Sequence, residues 1–267
     1  MTRGFLVFAH NNEHISYGLL AVSQAEQIKK ILNKPVTVVL DQATATDLDN
    51  LRPNWKSCFD QVVYLESVAT QTKRYGAGKN QLTFHNLDRS DAWDITPYDE
   101  TILIDTDILI QTENLNKLWG TSEDLLVCDK STNLYGNKLS EFTWISDRSI
   151  KFYWATICYF KKTEVTELFF KQCKWVKENY SWLAHVHEIP ANPLRNDFVW
   201  SIALHSLGHP AATIPFNLLY STYDDQLIKT TDHYVAFLTA NGVCKISHDV
   251  HMFNKYDLIK LINQELV

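Results

Sequence analysis

The chain has 267 residues, of which 45% are hydrophobic and 21% charged, so it can bury a sizeable core and is neither a disordered nor a fibrous protein. This length allows one large α/β domain or two small ones. There are 25 Lys and Arg side chains against 31 Asp and Glu, a net charge of −6. That charge excludes a protein that coats nucleic acid or an anionic membrane through overall positive charge.

The charge is unevenly spread along the chain. All of the negative excess lies in residues 1–150, and residues 151–195 carry seven basic side chains against four acidic ones. The seven are Lys151, Lys161, Lys162, Lys171, Lys174, Lys177 and Arg195. A stretch of this kind is either a solvated face or a local basic groove for an anionic acceptor.

The five cysteines are odd in number, widely spaced and without a C-x-x-C pair, which favours reduced thiols in an intracellular protein. The apolar segment at residues 5–9 is too short for a signal peptide or a membrane span. We therefore expect a cytoplasmic protein.

The first half of the chain alternates apolar runs with helical patterns. An apolar run at residues 5–9, a helical pattern at 17–32 and a second apolar run at 36–40 predict a βαβ unit, the building block of a parallel sheet. A third strand is predicted at 61–65 and a helix at 81–88. The clearest strand, residues 101–105, runs directly into Asp105, Thr106 and Asp107.

The second half continues the pattern less regularly. Strands are predicted at 125–127 and 157–160, and helices at 163–180 and 197–207. There is no repeat, low-complexity tract or long linker, which favours a single domain over residues 1–267.

Asp105 and Asp107 are the first candidates for chemistry. Ligands of open α/β sheets bind beyond the carboxyl ends of the strands, and residues i and i+2 of an extended segment point to the same side. Both carboxylates could therefore face one divalent cation, and oxygen ligands suit Mg²⁺ or Mn²⁺. The alternative is that the two residues only solubilise a strand end or cap a turn.

Two segments together resemble a known family. Residues 97–110 (PYDETILIDTDILI) and residues 8–17 (FAHNNEHISY) resemble the D-x-D strand and the first nucleotide-binding loop of glycosyltransferase family 8, the glycogenin and lipopolysaccharide-galactosyltransferase type. The resemblance implies a GT-A fold, an α/β domain with a mixed, mainly parallel sheet flanked by helices. Residues 1–120 would bind the nucleotide sugar and residues 121–267 the acceptor.

The resemblance also implies roles for residues of the donor half. In the first segment, Ala9 and Asn11 match positions that contact base and ribose, and His14 matches an aromatic ring that stacks on uracil. His10 and Tyr17 belong to the same nucleotide-sugar-binding loop. Asp105 would contact ribose and metal, Asp107 the metal, and Thr106 lies between them. Lys79 and Arg89 lie where the family has a cation near the diphosphate, although either could be an ordinary surface charge.

In the acceptor half, residues 153–160 resemble a family strand, but Trp154 and Thr156 replace an Asn and a Gly that handle the sugar. Asp197 matches an Asp that reaches sugar or acceptor, or is an N-terminal helix cap. The family's third metal ligand is a histidine, for which His248 and His251 compete. Lys255 would neutralise the leaving diphosphate.

The activity that the resemblance implies is transfer of a sugar from a nucleoside-diphosphate sugar, in particular a UDP-sugar, to a hydroxyl acceptor. We expect Mn²⁺ or Mg²⁺ as cofactor, retention of configuration, a glycan acceptor and no membrane insertion. The compact chain also resembles phage-encoded transferases, some of which glycosylate hydroxymethylated pyrimidines in DNA. That alternative would use the basic stretch, in the host cytoplasm.

Three further alternatives remain open. A GT-A-like module could bind a nucleotide or glycan without catalysis. A sugar nucleotidyltransferase is disfavoured because the Gly-rich N-terminal loop of that class is absent. His185 and His187 could be a metal-ligand pair of a hydrolase, but no H-E-x-x-H or familiar ligand spacing accompanies them, which favours a solvated or acceptor-site loop.

Overall fold

The structure is a computed structural model, and it describes residues 1–65, 72–75, 81–84, 88–138, 143–145, 150–189, 194–208 and 211–265. Its strands, in chain order, are β1 (Arg3–Ala9), β2 (Val36–Leu40), β3 (Gln61–Tyr64), β4 (Thr72–Tyr75), β5 (Gln81–Phe84), β6 (Glu100–Ile104), β7 (Ile108–Leu109), β8 (Leu125–Cys128), β9 (Ser131–Asn133), β10 (Trp154–Lys161), β11 (Ala212–Thr213), β12 (Leu218–Ser221), β13 (Gln226–Thr230), β14 (Val235–Thr239), β15 (Gly242–Ile246) and β16 (Val250–Met252). Its α-helices are α1 (Tyr17–Gln27), α2 (Gln42–Leu51), α3 (Ala92–Ile95), α4 (Glu164–Glu178), α5 (Tyr180–Val186), α6 (Asn196–Ser206) and α7 (Lys255–Glu265).

A seven-stranded sheet with the order β11-β8-β10-β6-β1-β2-β3 forms the centre of the fold. Strand β10 is antiparallel to both neighbours, and the other pairs are parallel. All residues of β2, β6 and β8 are buried, which is typical of strands covered by helices on both faces. The predicted fold class, a mixed and mainly parallel sheet with flanking helices, is confirmed.

The first βαβ unit forms as the sequence predicts. Helix α1 connects β1 to its parallel neighbour β2 and extends into a π-helical turn, Ile28–Leu32. Asn33, with φ of 50°, adopts the left-handed conformation that ends such a helix. The carboxyl ends of β1, β2 and β6 consequently lie at one edge of the sheet.

One secondary-structure prediction is wrong. Residues 81–84 form β5, antiparallel to β4, instead of the start of a helix. The segment QLTF alternates polar and apolar residues with the period of a strand. The helix predicted at 163–180 is confirmed as α4, and the separate helix α5 follows it from Tyr180.

Strands of the C-terminal third take part in two further sheets that the sequence patterns did not predict. Strands β13, β14 and β15 form an antiparallel meander. A four-stranded sheet has the order β7-β16-β12-β9, and it joins the segment after Asp107 to the segment that contains His251. Among the described residues, no helix has the length and apolar character needed to cross a membrane.

Candidate metal centre at the edge of the sheet

Asp105 and Asp107 lie in the turn that connects β6 to β7. The backbone N–H of Asp105 donates to the carbonyl of Thr156 on β10 at 2.9 Å. The buried side chain of Gln24, on α1, donates to the carbonyls of Asp105 and Ile108 at 2.6 and 3.2 Å. The turn is therefore held from two sides, which fixes the positions of both carboxylates.

His251 reaches the same place through the second sheet. It stands opposite Ile108 in the antiparallel pair of β16 and β7, and the next residue, Met252, donates its N–H to the carbonyl of Asp107 at 2.9 Å. Ligand atoms of Asp105, Asp107 and His251 all lie within 4.8 Å of one another. His248, the competing candidate, is exposed and does not belong to this group.

The three residues suit a divalent cation. Two carboxylates and an imidazole are a donor set that accepts Mn²⁺ or Mg²⁺. Asp107 and His251 are buried, and Asp107 Oδ1 has no hydrogen-bond partner among the described residues. A buried carboxylate oxygen without a donor is costly, and coordination would satisfy it.

Lys255, the first residue of α7, forms an ion pair with the same carboxylate. Its Nζ is 2.6 Å from Asp107 Oδ2; the carboxylate is buried and the lysine is half-buried. Burial alone would raise the pKa of Asp107, but Lys255 and His251 outweigh it and hold the pKa well below its ordinary range. Burial alone would lower the pKa of Lys255, and Asp107 reverses this so that the pKa is raised.

Arg89 is buried behind the other carboxylate. Its guanidinium bonds to Asp105 Oδ1, donates to the carbonyl of Ala155 at 2.7 Å and lies over the ring of Trp200. Burial lowers the pKa of Arg89 to about 10, against the opposing effect of Asp197 and other neighbours. The side chain therefore stays charged at neutral pH and balances Asp105.

Asp197 also binds β10 at Ala155. Its Oδ1 accepts the N–H of Ala155 at 2.9 Å, and its Oδ2 accepts from Arg195 at 2.7 Å. Arg195 occupies the N-cap position of α6 and Asp197 lies in the first turn, so Asp197 is not the helix cap. Ala155 thus links Asp197 to Arg89 and through it to Asp105.

The predicted nucleotide-binding loop follows β1 at the same edge. Ala9 and His10 are buried, and His10 Nδ1 lies 3.5 Å from Asp41. The side chain of Asn11 accepts from the N–H of Gly18 and donates to Asp47, both at 2.9 Å, so it fixes the loop to α1 and α2. His14 is exposed.

Three other residues are predicted to bind the nucleotide sugar. Thr106 is buried in the turn between the two carboxylates. Tyr17 begins α1 and lies near Lys255. Lys79 lies outside the described residues.

Sequence reasoning missed an aromatic group around His251. The rings of Trp154 and Phe253 lie 6.0 and 5.2 Å from the imidazole, both edge-on. Tyr220 stacks on Phe253 at 5.0 Å, and the ring of Tyr223 lies tilted 5.9 Å from Phe253. The signal available in the sequence was Trp154, which stands where the resembling family has an Asn. The second sheet brings the other rings close to it.

Each of the seven basic side chains in the stretch 151–195 has a partner within the fold. The pairs are Lys151 with Asp129, Lys161 with Asp124, Lys162 with the ring of Trp93, Lys171 with Glu167, Lys174 with Asp91 and Asp94, Lys177 with Ser90, and Arg195 with Asp197. This supports the interpretation as a solvated face.

The histidine pair at 185 and 187 does not gather metal ligands. His185 is exposed, and His187 packs against His205 with ring centroids 6.2 Å apart. Within the described part of the chain, Asp105, Asp107 and His251 are the group whose ligand atoms converge.

Fold and site together define an α/β protein with a candidate metal centre at the carboxyl end of its central sheet. Comparison with solved structures finds the glycosyltransferase GlyE of Streptococcus pneumoniae TIGR4, 8% identical with a TM-score of 0.47, over 79% of this chain and 45% of that one. It also finds the galactosyltransferase LgtC in complex with donor and acceptor sugar analogues, 12% identical with a TM-score of 0.45, over 76% and 70%. The chain spans less than half the length of the GlyE structures.

Nucleotidyltransferases are also among the similar structures. A putative glucose-1-phosphate thymidylyltransferase from Bacillus anthracis is 8% identical with a TM-score of 0.42, over 83% of this chain and 87% of that one. A scan against models of protein families and a search of curated proteins found no match.

Proposed function

We propose that this protein is a metal-dependent glycosyltransferase that transfers a sugar from a nucleoside-diphosphate sugar, in particular a UDP-sugar, to a hydroxyl group. The convergence of Asp105, Asp107 and His251 carries the proposal. These residues come from distant parts of the chain, and two of them belong to the D-x-D segment that resembles the family. Their place beyond the carboxyl ends of β1 and β6 is where open α/β sheets bind ligands.

Each charged group has a part in this chemistry. Breaking the bond between sugar and phosphate leaves negative charge on the departing diphosphate, and a cation held by Asp105, Asp107 and His251 would supply electrostatic stabilisation of that charge. Lys255 would donate from its ammonium to the diphosphate. Arg89 positions Asp105, because its own guanidinium is buried against that carboxylate and Ala155.

The rest of the donor site follows from the loop after β1. His14 is exposed and free to stack on the base, whereas Asn11 holds the loop against α1 and α2. Asp197, fixed by Ala155 and Arg195, would face the sugar or the acceptor. The reaction proceeds with retention in this proposal, as the family resemblance implies.

We propose a glycan as the acceptor. Of the aromatic rings around His251, Trp154 and Tyr220 are buried, whereas Tyr223 is 48% exposed and Phe253 is half-buried, so these two offer a planar apolar surface. Sugars present apolar faces that pack on such rings, as do other planar or apolar ligands. A DNA acceptor finds no support in the basic stretch, since its side chains are paired within the fold.

The test is a panel of UDP-, GDP- and dTDP-sugars, with and without Mn²⁺, measured by thermal shift and by slow hydrolysis of the sugar nucleotide. Binding to the native state raises the melting temperature in proportion to affinity and concentration. We expect a Mn²⁺-dependent rise and slow release of sugar with one or more UDP-sugars. Tight UDP binding without any hydrolysis would instead identify a non-catalytic module, and the absence of both would refute the proposal.

A further inference from the structure

We propose that Lys255 and a divalent cation compete for Asp107, so that Lys255 is the resident counter-ion of the metal centre and leaves it when a nucleoside diphosphate enters. This inference deepens the proposed function and rests on it for the identity of the diphosphate. The competition itself depends only on the residues around Asp107.

The first observation is the ion pair. Lys255 Nζ lies 2.6 Å from Asp107 Oδ2, while Oδ1 of the same carboxylate lies 3.5 Å from His251 Nε2. The ammonium and the proposed cation site therefore share one carboxylate. Asp107 is 4% exposed, so little water is available to screen a second positive charge beside the ammonium.

The second observation is the balance of charge. Arg89 neutralises Asp105 and Lys255 neutralises Asp107. With an uncharged imidazole, as metal ligation requires, the group is neutral before any cation arrives. A divalent cation alone would leave two uncompensated positive charges in a largely buried place. A nucleoside diphosphate supplies the missing negative charge.

The third observation is that the side chain of Lys255 is flexible enough to move its ammonium away from Asp107. Lys255 begins α7 and carries its charge on a flexible four-carbon stem. Tyr17 and Tyr223 lie near it, and Tyr223 is 48% exposed. Rotation of the stem would let the ammonium leave Asp107 for a diphosphate bound beside it.

The test measures Mn²⁺ binding by isothermal titration calorimetry in the absence of nucleotide. We expect Lys255→Gln, which removes the charge, to bind Mn²⁺ at least about ten-fold more tightly than the wild type, within the usual range of coupling between sites. Lys255→Arg keeps the charge and should bind Mn²⁺ as weakly as the wild type. Lys260→Gln, an exposed position on the same helix, is the matched control and should also leave the affinity unchanged.

Equal or weaker Mn²⁺ binding by Lys255→Gln overturns the proposal. If that variant does not fold without metal, recovery of its fold on adding Mn²⁺ supports the proposal, and failure to recover overturns it. No nucleotide is present, so this outcome is separate from that of the UDP-sugar panel. Adding UDP should then tighten Mn²⁺ binding to the wild type more than to Lys255→Gln, and an equal gain would refute the movement of Lys255 to the diphosphate.

Discussion

Asp107 is the residue on which the candidate site converges. It combines near-complete burial with an ion pair to Lys255, an imidazole at 3.5 Å and a carboxylate oxygen without a hydrogen-bond donor among the described residues. A buried carboxylate is tolerated only where it is paired or coordinates metal. Asp107 is paired with Lys255, and its position also suits metal coordination.

The two candidate histidines give a matched pair of variants. His251→Ala removes an imidazole that lies with both carboxylates, and we expect it to weaken Mn²⁺ binding in the presence of UDP by about ten-fold or more, the scale typical of perturbed metal sites. His248→Ala changes an exposed side chain outside the group and should have no effect. Calorimetric titration of both variants decides, and equal losses would contradict the assignment of His251.

Arg89 supports Asp105 from behind. Arg89→Met leaves Asp105, whose side chain is 34% exposed, and the carbonyl of Ala155 without their donor, which typically costs about 1–3 kcal/mol. We expect a loss of that size in the free energy of unfolding, measured with urea. Arg89→Lys keeps the charge but not the fork that bonds two partners, and it should lose less. A loss below about 1 kcal/mol for Arg89→Met would show that the pair is not structural.

At the scale of elements, apolar runs predicted most of the central sheet because buried parallel strands leave a clear signal. Strands β1, β2 and β6 and the place of the two Asp residues beyond β6 followed from that signal. The second sheet could not be predicted, because β7, β9 and β16 are only two or three residues long. Their pairing depends on contacts distant in sequence, and the choice between His248 and His251 depends on that pairing.

The N-terminus of helix α2 lies beside the predicted nucleotide-binding loop, and its stability can be tested by mutation. Asp41 caps it by accepting the N–H of Thr44 at 2.7 Å, beside His10. We expect Asp41→Ala to lower the free energy of unfolding by about 1 kcal/mol at neutral pH. Asp41→Asn keeps the acceptor and is the control, with a smaller loss.

The same variant has a predicted pH dependence. Burial raises the pKa of Asp41, but the hydrogen bonds from Thr44 and the charge interaction with His10 outweigh it, and the net pKa is lowered. Stability from the carboxylate is therefore present above the unfolded pKa of about 3.9 and is lost as the pH falls through the folded value. The difference between wild type and Asp41→Ala should shrink in acid, and a constant difference would contradict this role.

At the scale of the whole molecule, the basic side chains of residues 151–195 are paired within the fold. Their partners are acidic side chains, the ring of Trp93 and the hydroxyl of Ser90, and the chain has a net charge of −6. Composition alone could not distinguish a paired, solvated face from a basic groove, because pairing depends on the packing of α4 against neighbouring elements.

This pairing predicts weak binding to DNA. In fluorescence anisotropy with hydroxymethylcytosine-containing duplexes at about 100 mM salt, we expect no saturable binding at micromolar protein, because the basic side chains of 151–195 are already paired within the fold and are less able to replace counterions. Submicromolar binding with a steep dependence on salt would contradict this expectation and restore DNA as an acceptor.

The rate of UDP-sugar turnover by Asp107→Asn as a function of Mn²⁺ concentration decides whether Asp107 holds the cation of a metal-dependent glycosyltransferase. The amide retains the size of Asp107 but loses the charge that binds the cation, and Asp257→Asn, on α7, serves as the matched control. We predict that Asp107→Asn loses at least about a hundred-fold in turnover and its dependence on Mn²⁺, since several kcal/mol of transition-state stabilisation come from such a cation. Turnover and Mn²⁺ dependence that survive intact in Asp107→Asn would contradict the account.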